Sequence, residues 1–374
     1  MPLFKIKVGS YLDLQQYNTL LFIEIMKKIS IIIVLFATLF ACKNQDVDFP
    51  DFDRTAAYFP RQYPVRTLVL GNYIYDNTND NNHKFLISAR FGGVYKNTKN
   101  RILKIRLDES LCQNVKFKAS SEPIFAMPRE YYTLSSNDHL IIPAGDFYGS
   151  IEVQLTEAFF NDPLAIKLGY VIPLRIVSTN DVDSILRGRL LFQIPNPDCR
   201  IANQWEITPK DFTMFAVKFV NPYHGHYLHR GVSVVNNNEG QVLETVSYRT
   251  TYIEQNEIWK LVTTGKNQVS IKENTHSSKF TGGLNLLLNF TENGSCTVSG
   301  ISSIKTNTNA TIDYPITGNG TFINDGDAWG GSKRDAIHLK YQFTDGVNTF
   351  SATDTLVIRD RGIVMEVFEP VVTK

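Results

Sequence analysis

The sequence predicts an all-β protein, a β-sandwich followed by an antiparallel β-barrel, and three observations carry that prediction. Segment after segment alternates apolar and polar residues with a period of two, the pattern of half-buried strands. Aromatic residues are plentiful, with 24 Phe and 17 Tyr, and with many β-branched residues they favour strands over helices. No amphipathic helical pattern exceeds two turns, and the apolar stretches are separated by Asn, Asp, Gly and Pro clusters.

The first element is not part of that fold. "MKKISIIIVLFATLFACKNQ" begins at Met26, with Lys27 and Lys28 ahead of thirteen uncharged residues from Ile29 to Ala41. Crossing the hydrocarbon takes about 20 apolar residues, so the run is too short to span a membrane. A basic start, a short apolar core and small residues at its end describe a secretory signal peptide. Its last residues, "LFAC" (Leu39 to Cys42), resemble a bacterial lipobox, in which the cysteine thiol is alkylated with diacylglycerol and becomes the first residue after cleavage. Residues 26–41 are therefore read as a lipoprotein signal peptide and Cys42 as a lipid anchor. Residues 1–25, which precede the basic region, are read as a misassigned upstream start. Residues 42–55 are polar, acidic and Pro-containing, as suits a tether.

From Cys42 onward 333 residues remain, enough for two domains. They carry 34 basic and 35 acidic side chains, a dispersed and near-neutral balance with no electrostatic footprint for nucleic acid. Only Cys112, Cys199 and Cys296 follow Cys42, widely spaced and without a CxxC, so neither a disulfide framework nor a zinc-type cysteine site is indicated. One Cys–Cys pair stays open.

Residues 56–197 read as the sandwich. "HKFLISARF" (His83 to Phe91), "RILKIRL" (Arg101 to Leu107), "SIEVQL" (Ser150 to Leu155) and "YVIPLRIV" (Tyr170 to Val177) are strands, with Pro173 pointing to an edge or a bulge. "DPLAIKLG" (Asp162 to Gly169) suits a single helical turn. "IPNPDCRIANQ" (Ile194 to Gln204) breaks the pattern with two prolines, and the domain boundary is placed there. Residues 204–374 then read as the barrel. "GGLNLLLNF" puts Leu284, Leu286, Leu288 and Phe290 on one face, and Asn293-Gly294 tolerates the positive φ of a hairpin turn. Ile337, Leu339, Tyr341 and Phe343 repeat the design ahead of the turn at Asp345-Gly346. Consecutive hairpins favour an up-and-down barrel, a shape that either holds one small ligand or is filled by side chains.

Chemistry is sparse. HExxH, GxSxG, Walker and GxGxxG motifs are all missing, and "SSIK" (Ser302 to Lys305) has SxxK spacing in a segment that reads as strand. "NPYHGHYLHRG" (Asn221 to Gly231) is the densest constellation. His224 and His226 share one side of an extended segment and His229 the other, but no carboxylate or Cys sits at helpful spacing, so no metal and no cofactor are assigned. Tyr223, His226, Tyr227 and Arg230 offer planar faces and hydrogen-bonding tips of the kind sugars use. Trp259 in "EIWKLV" and Trp329 in the Gly- and Asp-rich "NDGDAWGGSKRD" join them as candidate carbohydrate contacts, with Trp329 leading as an indole on a polar loop. "NDGDAW" (Asn324 to Trp329) and "DNTNDNN" (Asp76 to Asn82) cluster oxygens without the spacing of a calcium loop, and read as polar turns.

"YFPRQYPVRTLVLG" (Tyr58 to Gly71), "PREYYTLS" (Pro128 to Ser135), "LTEAFFNDP" (Leu155 to Pro163) and "YVIPLRI" resemble the N-terminal domain of Bacteroidetes outer-membrane lipoproteins encoded among glycan-utilisation genes. "KDFTMFAVKFVNPYHGHYLHRG" (Lys210 to Gly231) and "DTLVIRDRG" (Asp354 to Gly362) look like their C-terminal partner domain. The resemblance implies an Ig-like sandwich, which also occurs in surface glycan-binding and endoglycosidase lipoproteins, and a lipocalin-like barrel, both of unassigned function. It implies no catalytic residues, and no endoglycosidase barrel follows the sandwich. It also implies an outer-membrane position, the cell surface ahead of the periplasmic face, although the acids after Cys42 begin only at Asp46. The expected function is capture of oligosaccharide or polysaccharide as a non-catalytic accessory to uptake, beside an outer-membrane transporter. A structural or adhesin-like lipoprotein is the alternative, and a glycoside hydrolase the next. Mass spectrometry of the membrane fraction should find a diacylglyceryl-modified N-terminus at Cys42, and Cys42→Ala should release the protein or leave it unprocessed. An unmodified chain beginning near residue 43 would rule the anchor out.

Overall fold

The computed structural model describes residues 19–32, 51–305 and 310–373. The chain separates into a unit ending at Asp51 and a unit from Phe52 to Lys374. In the first, residues 19–32 are helical and exposed, and no described helix is long and apolar enough to cross a membrane. Residues 33–50, with "LFAC" and Cys42, lie outside the described residues.

The second unit is all β, an Ig-like sandwich and an eight-stranded barrel. One sheet of the sandwich runs Ser184–Ile185, Ala56–Tyr58, Lys84–Gly92, Tyr148–Leu155, Tyr132–Leu134. The other runs Val65–Val69, Phe212–Val220, Tyr170–Thr179, Arg101–Leu107, His139–Ile142, with Phe125–Ala126 beside Tyr170–Thr179. Period-two alternation decides what faces inward. Phe85, Ile87 and Phe91 with Ile151, Val153 and Leu155 line one inner face, and Leu103, Ile105, Ile172, Leu174 and Ile176 belong to the same core. The single turn expected within Asp162 to Gly169 is a 3-10 helix, Pro163–Ile166, whose Leu164 N–H donates to the Asp162 carboxylate.

Two expectations need correction. The boundary placed at 197–204 cuts through the sandwich, because Phe212–Val220 lies beyond it yet is an inner strand, parallel to Val65–Val69 and antiparallel to Tyr170–Thr179. "FTMFAVKFV" is a nearly continuous apolar run rather than an alternating one, the signature of a strand covered on both faces. The sandwich therefore extends to Val220 and the barrel opens at Gly225. Pro173, for its part, is on neither an edge nor the bulge, which falls between Ile176 and Ser178. Pro173 stands where the pairing to Arg101–Leu107 ends: its carbonyl accepts the Asp108 N–H at 2.9 Å, and the missing proline N–H forgoes only the reciprocal bond.

Gly225–Asn237, Glu257–Gly265, Gln268–Asn274, Gly283–Phe290, Ser295–Lys305, Thr311–Trp329, Ser332–Thr344 and Asn348–Asp360 pair antiparallel in succession, and the last returns to the first to close the barrel. Val242–Tyr248 is a ninth strand. It takes over one edge of Gly225–Asn237 from Gly231 onward, where Glu257–Gly265 pairs only as far as His229. The interior is filled by Trp259, Tyr227, Leu286, Leu288, Ile337 and Leu339 with their neighbours. A cavity of about 30 Å³ beside Val235, Leu284, Phe343 and Phe350 has roughly the room of one water. Cys112, Cys199 and Cys296 are free thiols, so no disulfide joins them.

Sandwich and barrel meet on one buried side chain. Arg361, at the exit of the last barrel strand, is 6% exposed. Its Nε donates to His224 O, Nη1 to Asn72 O and Nη2 to Asn221 O, each at 2.7 Å. Beside it the chain crosses closely: a Cβ on Gly71, whose φ is +82°, would sit 2.7 Å from Pro222 Cβ. Beyond Arg361 the tail returns to the sandwich, where Pro370–Val372 pairs with Val115–Phe117 and Phe368 packs edge-on against Phe117 and Tyr63. Arg361→Met would leave three carbonyls without their donor, that of Asn221 buried and those of His224 and Asn72 part-buried, at a cost of about 1–3 kcal/mol. Thermal and urea unfolding should show one transition for residues 52–374, moved to a lower midpoint by Arg361→Met; two wild-type transitions or an unmoved midpoint would refute the seam.

Candidate functional site

Among the described residues the barrel interior is packed with side chains, and that packing draws in half of the expected sugar contacts. Trp259, 1% exposed, lies flat on the His229 ring with centroids 3.6 Å apart. Tyr227 is equally buried and donates its hydroxyl to Tyr223 O at 3.0 Å. Tyr223 stacks on Phe290 at 3.7 Å. Tyr227 and Trp259 are core side chains, and Tyr223 is partly buried against that core. Tyr227 and Trp259 are register partners on the inward side of their strands, which in a barrel is the core, and Tyr223 sits in the turn that precedes Gly225–Asn237.

The remaining candidates collect on the rim. Trp329 is not on a loop but ends the strand Thr311–Trp329, opposite Ser332 across the Gly330-Gly331 turn, whose φ values of +59° and +75° suit two glycines. Its Nε1 donates to Ile358 O at 2.9 Å, and the Arg334 guanidinium lies 4.5 Å over its ring. Arg230 pairs with Asp327 on the same hairpin. His226 Nδ1 lies 2.7 Å from Asp360 Oδ1. His224 does not join His226, since its Nδ1 accepts the Thr263 N–H at 3.1 Å and burial lowers its pKa to about 4.

Between this rim and the sandwich runs a cleft of about 730 Å³. One wall is the loop after Val65–Val69, where Tyr73 and Tyr75 meet edge to face with centroids 5.4 Å apart. Tyr75 is 67% exposed, and Ile74 between them is exposed as well. The opposite wall carries Asp325, Lys333, Arg334 and Asp335, and the floor carries His226, Asp360 and Arg361. A bulge between Ile323 and Asp327, with Asp325 at φ +54°, turns that residue to the cleft. Asn72 Nδ2 donates to Asp335 Oδ2 at 3.2 Å across the seam, and Asp335 Oδ1 accepts the Asp325 N–H at 3.0 Å. Burial works to raise the pKa of Asp360, but the Gly362 N–H at 2.8 Å and His226 hold it below the ordinary carboxylate value. Asp360 therefore stays charged at neutral pH and is the reverse of a poised general acid. The arrangement offers two tyrosine rings on one side and a fence of fixed donors and acceptors on the other. Nothing around "DNTNDNN" competes with it, because Asp80 is buried against Arg66 and the Val69 N–H, and Asp76 caps Thr78. A second concavity, about 890 Å³, joins the apolar Phe117, Phe125, Leu164, Leu168, Val367 and Phe368 to the charged Lys118, Glu122, Lys167 and Glu369.

Reasoning from the sequence passed over Tyr73 and Tyr75, although two aromatics set one apart in "GNYIYDN" among turn residues were a visible signal.

Comparison with known proteins agrees with this division. Residues 222–362 match the family model of a domain of unknown function, DUF5627, and residues 52–183 match an N-terminal-domain model. No curated protein matches the chain. A crystal structure of a protein of unknown function from Bacteroides ovatus is 35% identical, covers 87% of this chain and 100% of its own, and superposes with a TM-score of 0.77. An auxiliary nutrient binding protein from Bacteroides thetaiotaomicron VPI-5482 is 13% identical over 79% of this chain and 90% of its own, with a TM-score of 0.32, too distant to bear on this site. With an Ig-like sandwich ahead of a DUF5627 barrel, and more than a third of its residues shared over the whole length of the Bacteroides ovatus protein, the chain belongs to that protein's family.

Proposed function

We propose that the chain is a lipid-anchored, non-catalytic glycan-capture protein of the bacterial outer membrane, holding an oligosaccharide in the cleft between its two domains and handing it to a membrane transporter. The edge-to-face pair of half-buried Tyr73 and exposed Tyr75, facing the charged rim, carries this reading. Sugar rings present C–H faces that stack on aromatics and hydroxyls that need both donors and acceptors; the cleft supplies the two on opposite walls. The signal peptide and "LFAC" supply the anchor.

A hydrolase is the second reading, because Asp325, Asp335 and Asp360 share the cleft. Against it, Asp335 and Asp360 are each engaged by main-chain N–H groups and a neighbouring side chain, an arrangement that fixes charge rather than passing protons.

A glycan array on the mature chain identifies the ligand, and calorimetry then measures it. Burying one aromatic face contributes roughly 1–3 kcal/mol, so Tyr75→Ala should weaken binding about ten- to a hundredfold with an unchanged thermal midpoint. Trp329→Ala should lower the midpoint as well, since its indole is tied to Ile358 and Arg334. An array without hits, or affinity indifferent to both Tyr73→Ala and Tyr75→Ala, would overturn the proposal. Release of new reducing ends from a bound glycan would favour the hydrolase.

A further inference from the structure

Three residues past His226 on the same strand, His229 points into the barrel wall with its side chain fully buried. Its register partner on Glu257–Gly265 is Glu257, and His229 Nδ1 lies 2.5 Å from Glu257 Oε1. His276, from the connection after Gln268–Asn274, brings its Nε2 to 2.9 Å from the same oxygen. The three ligand atoms all lie within 4.8 Å of one another. We propose that His229, Glu257 and His276 form a binding site for a divalent transition metal of the zinc class, unconnected with the glycan cleft.

Two imidazole nitrogens and one carboxylate oxygen are a ligand set that zinc takes with a fourth position left open. Tetrahedral ligands at zinc–nitrogen distances stand about 3.3 Å apart, between the 2.5 Å and 4.8 Å found here. The pair left farthest apart is the two imidazole nitrogens, since both stand within 2.9 Å of one Glu257 oxygen, so the adjustment falls on His276, 23% exposed on the connection after Gln268–Asn274, with the 44% exposed Glu257 side chain following it. The exposed side of Glu257 and His276 is also where water or a further ligand would complete the coordination.

What lies behind the ligands is the stronger argument. Metal-ligating histidines hand their other ring nitrogen to a carboxylate that fixes the ring and its tautomer. The Nε2 of His229 is buried, makes no aligned hydrogen bond, and lies 3.2 Å from Asp354 Oδ2. Asp354 is itself buried and accepts from the hydroxyls of Tyr341, at 2.9 Å, and Tyr248. Both rings are held in plane by stacking, His229 on Trp259 at 3.6 Å and His276 on Tyr248 at 3.9 Å. The turn bearing His276 is clamped in turn, with Glu244 accepting from the Ser277 hydroxyl at 2.6 Å and the Ser278 N–H at 3.1 Å. Gly231 leaves room for the assembly, since a Cβ there would lie 2.2 Å from Asp354 Oδ1 and 2.8 Å from Tyr248 Cε2. The sequence hid the set because its members lie 28 and 47 residues from His229, on different strands and a loop.

The mature chain, stripped with chelator and titrated with ZnCl2, should retain one zinc per chain after desalting, and Co²⁺ should give the visible absorption of a four-coordinate site. His276→Ala and Glu257→Gln alter partly exposed side chains, so each should fold with a wild-type metal-free midpoint while losing roughly a hundredfold or more in zinc affinity. Tyr248→Phe keeps the stack but removes a donor to Asp354, and should weaken zinc about tenfold. Failure of the wild type to retain stoichiometric zinc, or affinity unchanged in both ligand variants, would overturn the site.

Discussion

A guanidinium leaves water only when its donors find acceptors, and Arg361 finds three in main-chain carbonyls: Asn72 in the sandwich loop, Asn221 at the crossover, His224 at the mouth of the barrel. Carbonyls cannot move without moving backbone, so the contact fixes three chain segments relative to one another rather than three side chains. The consequences spread outward. The loop bearing Tyr73 and Tyr75 begins at one of those acceptors, Asp360 precedes the arginine itself, and Gly71 is pressed against Pro222. The cleft is the space left over once that junction has formed.

This explains why neither domain by itself presents the site. The barrel brings charge and hydrogen bonding at its rim; the sandwich brings tyrosines. A family in which both halves travel together, as the match over the whole of the Bacteroides ovatus protein indicates, is what such a divided site requires. The filled interior points the same way. Trp259 and Tyr227 occupy the space a hollow barrel would give to a ligand, and the cleft with the charged rim lies at the seam instead.

What the sequence made legible is what local order determines. The hairpins at Gly283–Phe290 and Ser332–Thr344 follow from alternation and from Asn-Gly and Asp-Gly turns, and Leu284, Leu286, Leu288, Ile337 and Leu339 fall inside as period two demands. What it obscured depends on pairing at a distance. Phe212–Val220 reads as an undirected apolar run until it is placed between Val65–Val69 and Tyr170–Thr179. The aromatics of the Asn221–Gly231 stretch look like ligand contacts until the barrel closes around them. His229 looked isolated from any carboxylate because Glu257 and Asp354 reach it only through strand register. Alternation tells which residues share a face; only closure tells whether that face is a wall or a core.

Closure itself carries a consequence for how the molecule comes into being. Gly225–Asn237 finishes its pairing only with Asn348–Asp360, the last strand of the barrel, and Pro370–Val372 then finds Val115–Phe117 in the sandwich. Contacts so distant in sequence are slow to form, because a long loop must be ordered before they return anything. Until the final strand arrives, both flanks of an eight-stranded sheet are open edges, ready to pair with another chain. A protein built this way cannot finish folding piecemeal as it is synthesised; its nascent edges have to be kept apart until the whole barrel is available, and the interval before closure is when it is most exposed to aggregation and proteolysis.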